Sequence, residues 1–218
     1  VSAAAGSDLT GGPFLTEGLI DDLADGPFEA FGASTTRRIL DYRGSTTALL
    51  IELSGAPISL RLLQQQMVDR AVVPEGVSTA IYPDLARHEV ILRRSALFDA
   101  QQRLLSLNCT VAPLGLPPAV TAALTSSETP IGTGLAELAV QQRREHTARG
   151  RTRWPGPAKG RCAFREYLIL VDEQPALFVH EAFNPALFPV DEIPVGPSPA
   201  FHQAGSALVF GSGPRPSS

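Results

Sequence analysis

The sequence predicts an α+β fold: a single antiparallel six-stranded sheet flanked by helices. Three observations lead there. Runs rich in β-branched and aromatic residues come in adjacent pairs, and short turn signals separate the members of each pair. The helical segments fall before and between the pairs rather than alternating with single strands, which favours hairpins over βαβ crossovers. With 218 residues, 44% of them hydrophobic, the chain can bury one sizeable core.

Residues 1–12 (VSAAAGSDLTGG) are small and Gly-containing and are expected to form a loose tail; the domain is expected over 13–190, followed by a Pro/Gly/Ser-rich tail at 191–218. Leu15, Leu19, Ile20 and Leu23 have helical spacing, and Gly26-Pro27 ends that segment. Residues 28–40 form a short helical or extended piece, with Ser34 and Thr35 as candidate caps. Residues 46–53 (TTALLIEL) and 58–68 (ISLRLLQQQMV) are expected to be the first strand pair, turning at Ser54-Gly55-Ala56-Pro57. The second pair is 88–98 and 102–112, turning at Asp99-Ala100-Gln101. Helices are expected at 119–124 and 132–142, then a basic loop. The third pair is 164–171 and 176–183, turning at Asp172-Glu173-Gln174-Pro175.

Net charge is −4, but unevenly spread. Residues 1–36 hold six acids and no Lys or Arg; residues 143–165 hold eight Lys or Arg and one acid, Glu145. A basic stretch suits nucleic acid or an anionic small molecule. The acidic whole, and few stacking aromatics besides Trp154 in that stretch, favour the small molecule, so no nucleic-acid partner is expected. No run of about 18 apolar residues exists to span a membrane, and the first fifteen residues lack the pattern of a signal peptide. A cytoplasmic monomer or homodimer is expected. Cys109 and Cys162 have no metal-ligand spacing and read as buried thiols. The four histidines are scattered, and Walker, dinucleotide and Ser-nucleophile patterns are absent, so no metal or cofactor is expected.

Two anomalies point to a site. Glu181 lies within an apolar strand, flanked by Phe178, Val179 and Phe183, where an unpaired carboxylate would be expensive. His180 beside it faces the other way and reads as surface or packing. Arg93-Arg94 sits inside the strand VILRRSALF, so one of the two guanidinium groups points into the core. It either grips a ligand carboxylate or pairs with an internal acid such as Glu181. Arg165 and Tyr167 are two apart on one strand and share a face. Thr129-Pro130-Ile131-Gly132 enters a helix whose first N–H groups are unpaired.

LRRSALF, TPIG, FREYLILVDEQP and LFVHEAFNPALF, in this order over residues 34–188, together resemble the chorismate pyruvate-lyase family. Arg161, Arg165 and Tyr167 match the residue types of its actinobacterial branch. The resemblance implies an antiparallel sheet with a buried ligand site closed by flaps, and conversion of chorismate to 4-hydroxybenzoate and pyruvate without metal or cofactor. It assigns carboxylate binding to Arg94, with Arg93 in its place if the register slips by one. It places Glu181 at the 4-oxygen of the ligand, and the backbone N–H groups of Ile131 and Thr35 at the carboxylate. Arg165 and Tyr167 join the substrate-binding set. Arg94 would then position the substrate and Glu181 would manage the proton or the departing ether oxygen. The Pro-rich loops, acidic front and long tail depart from the small bacterial lyases. They leave open a fold copy recruited for a cyclisation or pericyclic step on a larger substrate, or a non-catalytic binding protein such as an aromatic-acid sensor.

Overall fold

The computed structural model describes residues 30–81, 89–138, 141–155, 160–191 and 193. The expected tail at 1–12, the helix at 15–23, His88 and nearly all of the tail at 191–218 lie outside the described residues. In chain order the elements are α1 (Ala33–Asp41), α2 (Thr46–Ser54), β1 (Ser59–Asp69), α3 (Glu75–Ile81), β2 (Glu89–Phe98), β3 (Leu104–Pro113), α4 (Pro118–Thr125), α5 (Ile131–Ala136), β4 (Gln142–Arg153), β5 (Arg161–Val171) and β6 (Gln174–Phe183). The strands form one six-stranded sheet in the order β1-β2-β3-β6-β5-β4, every neighbouring pair antiparallel. The class is α+β.

Two expected elements exchange roles. Residues 46–53 form α2 rather than a strand. The Ser45 hydroxyl accepts the Ala48 N–H at 3.4 Å, and Gly55 closes the helix in the left-handed region, its N–H reaching Ile51 O. Those flanks are ordinary helix start and stop signals and outweigh the β-branched run between them. The basic stretch forms β4 rather than a loop, pairing with β5 along its whole length. Arg143, Glu145, Thr147 and Arg149 point to solvent while Gln142, Arg144, His146 and Ala148 are half-buried. That two-residue alternation is a strand signature which the charge obscured. At α1 the N-cap is Gly32, with no side-chain cap, in place of Ser34 or Thr35.

The hairpins follow their turn chemistry. Asp172 and Glu173 both have positive φ (49° and 62°), the conformation that matches a two-residue hairpin to strand twist. At the β2–β3 turn, Asp99 Oδ1 accepts the N–H groups of Gln101 and Arg103, each at 2.9 Å.

Helices cover both faces of the sheet, which is why β3 is buried along its entire length. On one face, α1 and α2 pack over Leu97, Leu105, Ala163 and Phe183, and α4 and α5 pack over Tyr167, Ile169, Leu177 and Val179. On the other, α3 packs with Val90, Leu92, Leu107, Val111, Phe178 and Trp154. Cys109 and Cys162 lie within that second core as free thiols, both pushed up to about 12 by burial first of all. None of the described helices is long and apolar enough to cross a membrane.

Candidate functional site

The seam between the two helix pairs on the first face is where the sheet turns polar. Cross-strand register places Ser95, Asn108, Glu181 and Arg165 in one row, and Arg93, Thr110, Val179 and Tyr167 in the next. Above the seam, α2 and α5 touch. Between them and the sheet is a cavity of about 50 Å³, lined by Thr46 and Thr47 of α2, Ile131 and Gly132 of α5, and Ser95, Asn108, Arg144, Tyr167 and Glu181 of the sheet, among others. Space of this size holds a few waters. An apolar cavity of roughly 150 Å³ is what takes up a benzene ring.

Glu181 is tied into the protein on both oxygens. Arg165 Nε donates to Oε2 at 2.7 Å, and the Thr46 hydroxyl lies 2.7 Å from Oε1 and 2.9 Å from Oε2. Arg165, wholly buried, also donates from Nη1 to Ile39 O (2.6 Å) and Tyr42 O (2.7 Å), and from Nη2 to Thr46 Oγ1. Burial by itself lowers the Arg165 pKa; the charge and hydrogen bond of Glu181, with Tyr167, more than reverse this, so it stands above the ordinary arginine value. One guanidinium therefore fastens the end of α1 and the start of α2 to the sheet. Tyr167 stays a neutral phenol: burial, then the nearby Glu181 charge, pushes it up to about 12. His146 is held below the ordinary histidine value, first by burial and then by the Arg165 and Arg43 charges.

Other groups on this face lack partners. Arg93 is buried, and its Nη1 donates to Leu124 O at the end of α4; among the described residues Nε and Nη2 have no partner. Burial lowers its pKa to about 10, which still leaves it charged at neutral pH. Asn108 Oδ1 and Arg144 Nε, on two cavity-lining residues, are likewise buried without partners. Native interiors rarely leave such atoms unsatisfied, and on a cavity wall they are open to water or to a bound molecule.

The structure brings Glu181, Arg165, Tyr167 and Ile131 together around the cavity. It separates Arg94 and Thr35 from it. Arg94, expected to face Glu181, pairs in register with Cys109 and points to the opposite face, where Nη1 donates to Gln64 Oε1 at 2.6 Å. Arg93 is the arginine on the Glu181 face, because neighbours on a strand alternate and the register differs by one from that assumed. The Thr35 N–H is spent within the first turn of α1, on Gly32 O at 2.9 Å, so the Ser/Thr contribution comes from Thr46 and Thr47. Arg165 has its nitrogens committed inside the protein. His180 does face away from Glu181, but it is fully buried, its Nδ1 lying 2.9 Å from Glu166 Oε1. Asn108 and Arg144 carried no sequence signal of their own. Alternation along β4 would have turned Arg144 inward had that stretch been read as a strand. Among the described residues no cluster of His, Cys, Asp or Glu is arranged to hold a metal.

No family model matches the chain. No curated protein matches it either. Solved structures do. PhnF from Mycobacterium smegmatis is 12% identical with a TM-score of 0.53, covering 66% of this chain and 65% of its own. The effector domain of the same protein is 10% identical with a TM-score of 0.49, covering 72% and 91%. The ligand-binding domain of a GntR-family transcriptional regulator from Bordetella bronchiseptica is 15% identical with a TM-score of 0.44, covering 58% and 85%. At these identities the likeness shows the fold, and the chain spans 65% of the length of the PhnF structure.

The fold match to PhnF corrects the expectation of a chorismate pyruvate-lyase, and with it the lyase activity and the recruited-enzyme alternative. The geometry gives a physical reason. Glu181, meant to handle the proton, is locked between Arg165 and Thr46, and Arg94 faces away. The expectation of no nucleic-acid partner does not stand beside this match either.

Proposed function

We propose that this chain is the effector-binding part of a transcriptional regulator, and that a small molecule in the cavity between the sheet and the α2–α5 cover is its signal. The observation that carries this reading is the mismatch within the cavity wall. Asn108 and Arg144 present unmatched hydrogen-bonding atoms to the same space, with Arg93 beside Thr110 next to it. The cavity's carboxylate, Glu181, is already satisfied. Such a wall is built to bind and to leave its ligand unchanged. Asn108 and Ile131 serve as ligand contacts, and Glu181 with Arg165 and Thr46 ties the cavity to the α1–α2 junction. Occupancy is thereby felt in the segment from Ile39 to Thr47, because a molecule larger than the cavity displaces α2 from α5. Action on DNA belongs to the complete regulator, in the cytoplasm.

Thermal-shift screening of small polar metabolites tests this. A ligand at one hundred times its Kd stabilises by about 2.7 kcal/mol, a shift of several degrees that Asn108→Leu should diminish. Chorismate incubated with the protein should remain intact. Formation of 4-hydroxybenzoate and pyruvate in equal amounts would overturn the reading.

A further inference from the structure

Both ends of β4 are basic, and only one end is neutralised. Near its start, Arg143 is paired with Glu145 at 3.3 Å and with Glu173 at 3.0 Å. Further along, Arg149 is paired with Asp41 of α1. Beyond Arg149 the pairing stops. Arg151, Arg153 and Arg161 form no ion pair with any described residue, and Arg151 Nε is buried without a partner among them. The connection between the two strands, residues 154–160, adds Lys159 and no acid.

The pairing register puts these groups on one surface. Arg149 lies opposite Arg165, Arg151 opposite Ala163, and Arg153 opposite Arg161. Residues directly opposite share a face, as do residues two apart on one strand. Arg149, Arg151, Arg153 and Arg161 therefore stand on the α1 side of the sheet, at its β4 edge, with Arg153 and Arg161 exposed and Arg151 half-buried. Glu166, the acid of β5, faces the other side against His180. Two arginines directly opposite each other repel. The fold gains nothing from that juxtaposition, whereas a bound polyanion relieves it. Same-face residues of a strand recur about every 6.7 Å, close to twice the ~3.4 Å between successive phosphates along one strand of duplex DNA. Guanidinium groups in such a row keep their charge and take phosphate oxygens two at a time.

We propose that the free end of the β4–β5 hairpin is a contact for the DNA backbone, in which Arg151, Arg153 and Arg161 neutralise phosphates. Such contacts position a protein on the duplex and carry no sequence information. The choice of DNA over another polyanion rests on the regulator reading above; the cavity plays no part in it.

The test titrates the full chain against a short fluorescent DNA duplex of arbitrary sequence at several salt concentrations. The wild type is expected to bind, with log K falling linearly as log salt rises. Arg153→Gln with Arg161→Gln is expected to flatten that slope by about 1.8, two lost phosphate contacts at about 0.9 each. Its Tm should hold or rise slightly as the repulsion is relieved, which separates lost contact from unfolding. Arg143→Gln with Arg38→Gln removes the same charge from paired positions, Arg38 being held by Glu52 at 2.7 Å, and should leave the slope unchanged. No binding at the lowest salt, an unchanged slope in the Arg153 and Arg161 double variant, or equal flattening by the Arg143 and Arg38 pair overturns the contact. Tighter binding of polyglutamate than of the duplex also overturns it and gives the surface to an acidic polypeptide. The effector reading is judged separately by the thermal-shift screen, which reads ligand binding in the cavity and is untouched by either result here.

Discussion

Arg165 shows how one side chain can decide what its neighbours are free to do. Its guanidinium bridges Glu181, Thr46 and the carbonyls of Ile39 and Tyr42, all out of contact with water. Removing one partner of a buried pair strands the other, at a cost of about 3–5 kcal/mol, whereas replacing both with apolar groups is often near neutral. Arg165→Met should therefore lower stability in urea unfolding by about that amount, and Arg165→Met with Glu181→Leu should recover most of it. A double variant no more stable than the single one would show that the pair is not the main restraint on α1–α2. The sequence made Glu181 conspicuous as an acid in an apolar strand, but it did not name its partner. Partner choice depends on strands and helices remote in sequence, and one partner, Thr46, comes from a helix that the sequence had rendered as a strand.

At the scale of elements, α2 and β4 carry the lesson. Both have sequences whose composition points one way and whose boundaries point the other. The Thr-Thr-Ala-Leu-Leu-Ile run has strand propensity, yet Ser45 and Gly55 bracket a helix of nine residues. Gly55 has φ of +64° with nothing within 4 Å of a built Cβ, so the constraint there is backbone conformation and not space. Gly55→Ala should cost about 1 kcal/mol in thermal or chemical unfolding. A neutral result would mean that α2 ends elsewhere in solution. For β4, pairing with β5 supplies backbone hydrogen bonds along the whole strand, and its charged outer residues protect an exposed edge from adding further strands.

For the whole molecule, the polar seam between two apolar helix pairs links the cavity to pH. His146 packs against Tyr167, their ring centroids 5.9 Å apart, within reach of the Arg165 and Arg43 charges, with Glu181 and the Tyr42 backbone opposing them. Its folded pKa lies below the unfolded value of about 6.5, so folding disfavours the proton. The stability this neutral histidine permits is fully present above that pH and is lost as pH falls through the lowered folded value. Wild type should accordingly lose more Tm than His146→Gln between pH 7.5 and pH 5. Equal losses would show that His146 is solvated in the folded state.

The sequence by itself determined the fold class, the second and third hairpins, and the presence of a buried carboxylate and a buried arginine. Those follow from composition and two-residue periodicity, which are local. Tertiary structure decided which arginine of the Arg93–Arg94 pair shares the Glu181 face, since a register one residue out turns every side chain to the opposite face. It also decided that Glu181 is held by Arg165 and Thr46 rather than left free, and that a basic stretch is a strand with Arg144 turned inward. These outcomes depend on burial and cross-strand pairing between segments up to 135 positions apart, information that no single stretch of the chain contains.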